Sequence, residues 1–309
     1  MFPHALMFHH FHDEVHPPGQ GALNAAGFEE MLRFFGLNRL LPAGEWMSRM
    51  LDGSLGDDQC CITLDDGLRC QFDVALPVME RLGLTAFWYV NTSPWEGTVE
   101  KLELYRYFRS VRYPDIEDFY VDFFKEIVLS PLAAKVSDAL KGFVAKDYLS
   151  QFPFYTDGDR KFRYVRDRVL GPEAYNRIMD AMIERAGLDL RQVHDLLWLK
   201  PDHVRALQNK GHVVGLHTHT HPTVLVDMPP AEQELEYRRN SDMLAEVLGE
   251  KPITSSHPCN SYNSATLDIL KEMGVRLAFR SNLAEGDIRT ALTMPREDQA
   301  NIFAKMKAA

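Results

Sequence analysis

Apolar positions along this chain fall into two alternating patterns. Short, nearly unbroken apolar runs read as buried strands: Leu6 to Phe8, Cys60 to Leu64, Thr85 to Val90, Val213 to Leu216, Ile253 to Ser256 and Arg276 to Phe279, with Leu292 to Met294 as the last. Between them, apolar residues recur every three or four positions, which is helical spacing. Asn24 is the predicted N-cap of a helix carrying Phe28, Met31, Leu32 and Phe35. Val74 to Leu82 reads as a helix ended by Gly83, and Thr266 to Met273 as one ended by Gly274. Asp202 to Asn209 and Glu232 to Leu248 complete the helical set. Thr85 to Val90 is apolar along its length, so both its faces are expected to be covered.

From about 98 to 196 the pattern is helical throughout, with breaks predicted near Pro153 and at Gly171-Pro172. The aromatics Phe119, Tyr120, Phe123 and Phe124 are expected to form that segment's own core. Outside it, strands alternate with helices, the signature of a parallel sheet with helical cover. Some seven strands over this length favour a closed or distorted β/α barrel, so the prediction is one α/β domain over 1–309 with a large helical insertion at about 98–196. In such barrels the chemistry sits where strands end. Asp65-Asp66, His217, Ser256-His257-Pro258, His10 and His12 all stand at predicted strand ends.

Composition narrows the field. With 309 residues, 45% hydrophobic and 25% charged, the chain can bury a large core. A formal net charge of −10 argues against a nucleic-acid-binding surface and against adsorption to anionic membranes. The four cysteines, Cys60, Cys61, Cys70 and Cys259, form no C-x-x-C pair, and Cys60 and Cys61 on a strand face opposite ways. Reduced thiols in a cytoplasmic protein are therefore expected, with Cys259 buried and not a nucleophile. The start Met1-Phe2-Pro3-His4 has no basic, apolar leader character, and no apolar run reaches the roughly 20 residues of a membrane helix.

The densest candidate chemistry is His217-Thr218-His219-Thr220-His221-Pro222, holding three of the twelve histidines. Imidazole is the commonest protein ligand for zinc and similar ions. His217 and His221 can reach one ion if the chain enters a helical turn there, which Pro222 would suit. An extended chain would instead put His217, His219 and His221 on one face, so the role of His219 stays open. Asp-Asp-Gly alone is usually a turn, but Asp65-Asp66-Gly67 ends a strand and would complete the site. Neighbouring side chains diverge, so one carboxylate would bind the metal and the other take a proton from the water that the ion activates. Two histidines and a carboxylate suit a catalytic Zn2+ with one open position.

At these residues the chain resembles the polysaccharide deacetylase family of metal-dependent carbohydrate esterases and amidases. The family motif T-F-D-D-G corresponds to Thr63-Leu64-Asp65-Asp66-Gly67, and H-S/T-x-x-H to the run from His217 to His221. A third segment, A-Y-P-Y-G-x-Y in one branch, corresponds to Ser256-His257-Pro258-Cys259-Asn260-Ser261-Tyr262. The resemblance implies a distorted (β/α)7 barrel, Asp65 as catalytic base, Asp66, His217 and His221 as metal ligands, and a backbone N–H near Cys259 for the oxyanion. Two departures stand out. The third segment has Ser256 or His257 where many members carry an arginine that orients the base, and no histidine follows His257 to serve as general acid. The cluster His9, His10, His12 is the expected substitute, with His10 or His12 as the acid. Arg296, read as following the last strand, would pair with Asp65 or with substrate, and His257 would contact substrate. The implied function is a zinc-type hydrolase that removes an N-acetyl or N-formyl group from a nucleotide-, lipid- or glycan-linked amino sugar, in the making of surface polysaccharide such as O-antigen or capsule. A catalytically inert sugar- or metal-binding barrel and an amidase for non-carbohydrate amides are the alternatives.

Overall fold

The computed structural model describes residues 3–150, 155–284 and 290–308. Seven parallel strands form one sheet in the order β6-β5-β4-β3-β2-β1-β7: β1 (His4–Phe8), β2 (Cys60–Leu64), β3 (Ala86–Val90), β4 (Val213–Leu216), β5 (Thr254–Ser256), β6 (Leu277–Phe279) and β7 (Arg296–Asp298). The segment leading into β7 lies along β6: Arg280 N–H donates to Met294 O at 3.0 Å, and Met294 N–H to Ala278 O at 2.9 Å. The sheet thus curls into a nearly closed, distorted (β/α)7 barrel.

The helices α1 (Ala25–Phe35), α2 (Ala43–Asp52) and α3 (Leu76–Leu82) precede β3. After β3 come α4 (Lys101–Arg112), α5 (Ile116–Val128), α6 (Ala133–Leu140), α7 (Asp157–Tyr164), α8 (Pro172–Ala186), α9 (Leu190–Leu197) and α10 (Pro201–Asn209). The chain closes with α11 (Pro230–Leu248), α12 (Ser264–Glu272) and α13 (Gln299–Ala308). Asn24 caps α1 by accepting from Gly27 N–H at 2.8 Å, and Gly83 ends α3 in a left-handed conformation, as their residue types predict.

Strand alternation sorts the core into two layers. Leu6, Phe8, Cys60, Ile62, Leu64, Trp88 and Val90 belong to the layer shared with the covering helices. Ala5, Cys61, Phe87, Tyr89, Leu277 and Phe279 form the other, with Trp46 of α2 among them. Trp46 stacks near Phe279 at 5.5 Å between centroids, and Ala43 N–H donates to Thr85 Oγ1 at 3.0 Å, so α2 floors the strands at their N-terminal ends. Gly215 of β4 is required by space: a Cβ there would stand 2.4 Å from Thr254 Oγ1 and 2.5 Å from Tyr89 Cε1. All four cysteines are free.

Two expectations are corrected here. The last strand is Arg296–Asp298 and not Leu292 to Met294, where only an isolated bridge from Met294 to Phe279 forms. Arg296 pairs in register with Ala5 and is 1% exposed. Its strand is polar because its side chains make ion pairs inside the protein, which a hydrophobic pattern cannot reveal. Cys259 is exposed, not buried.

By contacts the chain divides into two compact units, 1–100 with 194–309, and 101–193. The second is helical. Phe119, Tyr120 and Phe123 of α5 are buried in it around Phe162, with ring centroids 5.0–5.3 Å away. Gly171, at φ +74°, breaks the helical path ahead of Pro172, whereas the break at Pro153 lies outside the described residues. Among the described residues no helix is long and apolar enough to cross a membrane.

Candidate functional site

Asp66 leaves the end of β2 in the left-handed region, φ +75°, followed by Gly67 at φ +60°. A non-glycine residue held there costs of order 1 kcal/mol, so the turn is fixed by what its side chain meets. Asp66 Oδ1 lies 3.1 Å from His217 Nε2 and 3.2 Å from His221 Nε2. Three potential ligand atoms from Asp66, His217 and His221, all buried, sit within 4.8 Å of one another. Neither a right-handed helical turn nor an extended chain forms after β4. Thr218 (φ +62°) and His221 (φ +55°) take left-handed conformations, and these bring His217 and His221 to a centroid separation of 5.0 Å.

The tautomer of His217 supports a cation at this point. Its Nδ1 lies 3.0 Å from Ser256 O, a carbonyl that can only accept, so Nδ1 carries the hydrogen. In the neutral ring Nε2 then presents a lone pair to the Asp66 carboxylate, an unfavourable arrangement unless a cation or proton lies between. An imidazole N–H held by a carbonyl is also the usual way a metal-binding histidine is oriented. Burial alone would raise the Asp66 pKa, but His221 and His217 beside it hold it well below the usual carboxylate range, so the group is anionic. The donor set fits a small divalent ion of the zinc type.

His219 points elsewhere. Its Nδ1 is 3.0 Å from Thr92 Oγ1 and its Nε2 is 3.2 Å from Glu96 Oε2, so both ring nitrogens are engaged away from Asp66. Its carbonyl accepts from Thr92 and Ser93 N–H, and Glu236 of α11 accepts from the N–H groups of His219 and Thr220. The residue ties the histidine loop to the end of β3.

Asp65 faces a different set. Arg296 donates to both its oxygens, Nη1 to Oδ1 and Nη2 to Oδ2, each at 2.7 Å. Ser256 Oγ donates to Oδ2 at 3.0 Å and accepts from Arg296 Nη2 at 2.8 Å. Arg296 Nη1 also reaches Thr63 Oγ1 at 3.2 Å, and its Nε donates to Arg280 O at 2.9 Å. Burial would raise the Asp65 pKa, but the Arg296 guanidinium and the nearby His217 bring it down to about 2. The arginine absent from the third segment is thus present in space, delivered by β7 with Ser256 as its companion.

The remaining candidates spread out. His9, not His10 or His12, stands beside Asp65, with Nε2 3.9 Å from Oδ2. His10 has a ring nitrogen within 4.8 Å of an Asp66 oxygen. His12 lies in the loop after β1, its N–H donating to Leu23 O at 2.9 Å. His257 turns inward: it is 1% exposed, its Nε2–H donates to Leu292 O at 2.8 Å, and burial pushes its pKa down to about 4. Cys259 (φ +49°) and Asn260 (φ +58°) form a left-handed turn, which Asn260 Oδ1 pins by accepting from Ser281 N–H. No backbone partner for the Cys259 N–H is found among the described residues.

Three supporting residues escape a sequence reading. Asn240 of α11 is fully buried; its Oδ1 accepts from His217 N–H at 3.0 Å and its Nδ2 donates to Val90 O at 2.9 Å. Gln71, in a π-helical turn at Gln71–Ala75, donates to both His9 O and Asp65 O. Glu236 is the third. All lie on helices at positions that look like ordinary polar residues. Only His9 had a signal, since aligning the ends of the first two strands sets it opposite Asp65.

The polysaccharide deacetylase family model matches residues 173–278, which include β4, the histidine loop and β5. No curated protein matches the chain. Among solved structures, the de-N-acetylase from Aggregatibacter actinomycetemcomitans is 13% identical with TM-score 0.56, covering 99% of this chain and 98% of its own. The deacetylase PplD of Streptococcus pyogenes, in complex with acetate, is 15% identical with TM-score 0.53, over 96% and 91%. IcaB from Ammonifex degensii is 13% identical with TM-score 0.53, over 96% and 90%. At such identities the likeness is one of fold, and it extends over almost the whole chain. The chain is thus similar to the polysaccharide deacetylase family over residues 173–278, and to the fold of these structures over almost its whole length.

Proposed function

We propose that the protein is a metal-dependent hydrolase that removes an N-acyl group, acetyl or formyl, from an amino sugar. The observation that carries this reading is the pairing of two unlike carboxylates at one strand end. Asp66 meets His217 and His221, while Asp65 is held apart by Arg296. Asp66, His217 and His221 would hold the ion, Zn2+ being the best match to the donors. Bound there, a divalent ion supplies Lewis acidity to water and to the acyl carbonyl. Asp65 takes the proton of the attacking water, and Arg296 with Ser256 fixes the direction of its lone pairs. The Cys259 N–H stabilises the negative oxygen of the tetrahedral intermediate. A histidine from the cluster after β1 returns a proton to the departing amine. Solved neighbours described as a de-N-acetylase and as a deacetylase holding acetate favour an amide-linked acyl group. A nucleotide-, lipid- or glycan-linked sugar destined for surface polysaccharide, processed in the cytoplasm, is the substrate setting we favour.

The test is release of acetate or formate from a panel: N-acetyl- and N-formyl-glucosamine, their UDP-linked forms, and penta-N-acetylchitopentaose. Wild-type protein should turn over at least one, and Asp65→Asn should lose about 10²–10⁴-fold in kcat, the usual weight of a general base. Full activity in Asp65→Asn would remove Asp65 from the role of base.

A further inference from the structure

We propose that Arg109, Arg163 and Arg166 form a binding site for a phosphate or diphosphate group in the helical unit. The site shares no residue with the cation site of the barrel. Within 101–193 Lys and Arg slightly outnumber Asp and Glu, so the acidic excess of the chain lies in the rest. Arg109 belongs to α4, Arg163 to the end of α7, and Arg166 to the π-helical turn Val165–Leu170 that follows. Such turns are rare and occur frequently at functional sites. Phe162 joins the two helices: its ring centroid lies 6.0 Å from the Arg109 guanidinium carbon and 5.5 Å from that of Arg166. Arg163 follows Phe162 in the chain, shares a helix face with Arg166 three positions on, and rests over the Tyr155 ring at 4.2 Å. All three meet at Tyr175 of α8. Burial holds the Tyr175 pKa above its ordinary value, against the pull of Arg109, Arg166 and Arg163.

These charges are poorly compensated. Among the described residues Arg109 and Arg163 meet no carboxylate. Arg109 Nε donates to Tyr105 O at 3.2 Å, and burial, with the like charges of Arg106 and Arg166, lowers its pKa. Arg163 Nε is buried without a hydrogen-bond partner. A buried donor left unpaired is costly, and an acceptor supplied by a ligand removes that cost. Arg166 donates to Asp167, its neighbour in the chain, but the two side chains are 26% and 38% exposed. Exposed pairs of that kind contribute little, so Arg166 can turn to a better acceptor. Asp159, the buried carboxylate of α7, is taken by the Tyr120 hydroxyl and by the N-terminal cap of its own helix.

Charge selects the ligand. Three guanidiniums against one carboxylate leave two positive charges over. A phosphate monoester carries about −1.5 to −2 at neutral pH and offers three acceptor oxygens, whereas a carboxylate carries a single charge. The guanidinium fork also fits phosphate oxygens two N–H groups at a time. Tyr175 adds a neutral donor: its hydroxyl makes no hydrogen bond among the described residues, and its ring is held by Tyr105, Phe123 and Phe162.

Calorimetric titration of the whole chain with pyrophosphate, UDP and geranyl diphosphate tests this, with acetate as the control anion. Wild type should bind at least one of the three, more weakly as salt rises, and should not bind acetate. The tightest of them names the source of the group: a free anion, a nucleotide or a lipid carrier. Arg109→Gln and Arg163→Gln should each weaken binding about 10-fold or more, the weight of a hydrogen bond to a charged group. Arg109→Lys should restore part of the loss, since it keeps the charge but not the fork. Arg163→Gln removes only one ring contact, so it carries the test if Arg109→Gln fails to fold. His217→Ala should bind as wild type does, because the cation site takes no part. No binding of any phosphate by wild type, wild-type affinity in the folded Gln variants, or loss of binding in His217→Ala would overturn the proposal.

Discussion

Arg296 and Asp65 make a two-pronged pair in which neither member has solvent to fall back on. Removing one partner of such a pair leaves the other charge buried and uncompensated, at about 3–5 kcal/mol. Arg296→Gln should therefore lower unfolding stability by that order in urea titrations. It should also cut kcat by about 10²-fold, since the base loses its fixed direction. Arg296→Lys should recover only part of either, because an ammonium cannot match both carboxylate oxygens. Unchanged kcat in Arg296→Gln would mean the pair serves the fold alone. That Asp65, Asp66, His217 and His221 come together at one end of the strands was legible in the sequence, because metal-ligating residue types stood at predicted strand ends. Arg296 was legible only as a candidate, since its partner lies 231 positions away. His257 misled because a histidine beside the third segment looks like a site contact, whereas its ring is folded inward onto Leu292 O.

At the scale of elements, apolar pattern found six of the seven strands to within a residue or two, since each is buried on both faces. It missed β7, whose Arg-Glu-Asp sequence is stabilised by ion pairs: Arg296 with Asp65, and Glu297 with His4 and Lys305. It also missed the course of the histidine loop, which is set from outside by α11. Asn240 joins that loop to the end of β3 through His217 N–H, Val90 O and Thr92 Oγ1. Asn240→Ala would leave the buried His217 N–H and Val90 O without partners, at about 1–3 kcal/mol for such groups. It should also weaken metal affinity by about 10–100-fold, as loss of an outer support typically does. Calorimetric titration of the variant with Zn2+ checks this; wild-type affinity would show that the loop holds its shape without α11.

Across the whole molecule, acid should act through histidines that are buried neutral. His212 Nδ1 accepts from Ala86 N–H at 3.0 Å and from Trp88 Nε1–H at 3.1 Å, and burial pushes its pKa down to about 4. The unfolded chain takes up that proton near the ordinary value of about 6.5. Between about pH 6.5 and 4 the unfolded state therefore binds more protons, and stability falls as pH falls; below about 4 both states are protonated and this loss stops. Thermal midpoints should decline across that window, and His212→Gln, less stable at neutral pH, should show a shallower decline; an unchanged slope would exclude His212 as the cause. The barrel was legible in the sequence at this scale because strand and helix patterns alternate across it, and the division at 101–193 follows the stretch where strand-like runs disappear. The proposed hydrolase depends on one ion held by Asp66, His217 and His221, and chelator-stripped protein titrated with Zn2+, with bound metal and acyl release read on the same samples, tests that dependence. Activity should rise with the first ion bound per chain, and His217→Ala and His221→Ala should lose both ion and activity while His219→Ala keeps the ion. Full acyl release by protein that holds no metal would contradict it.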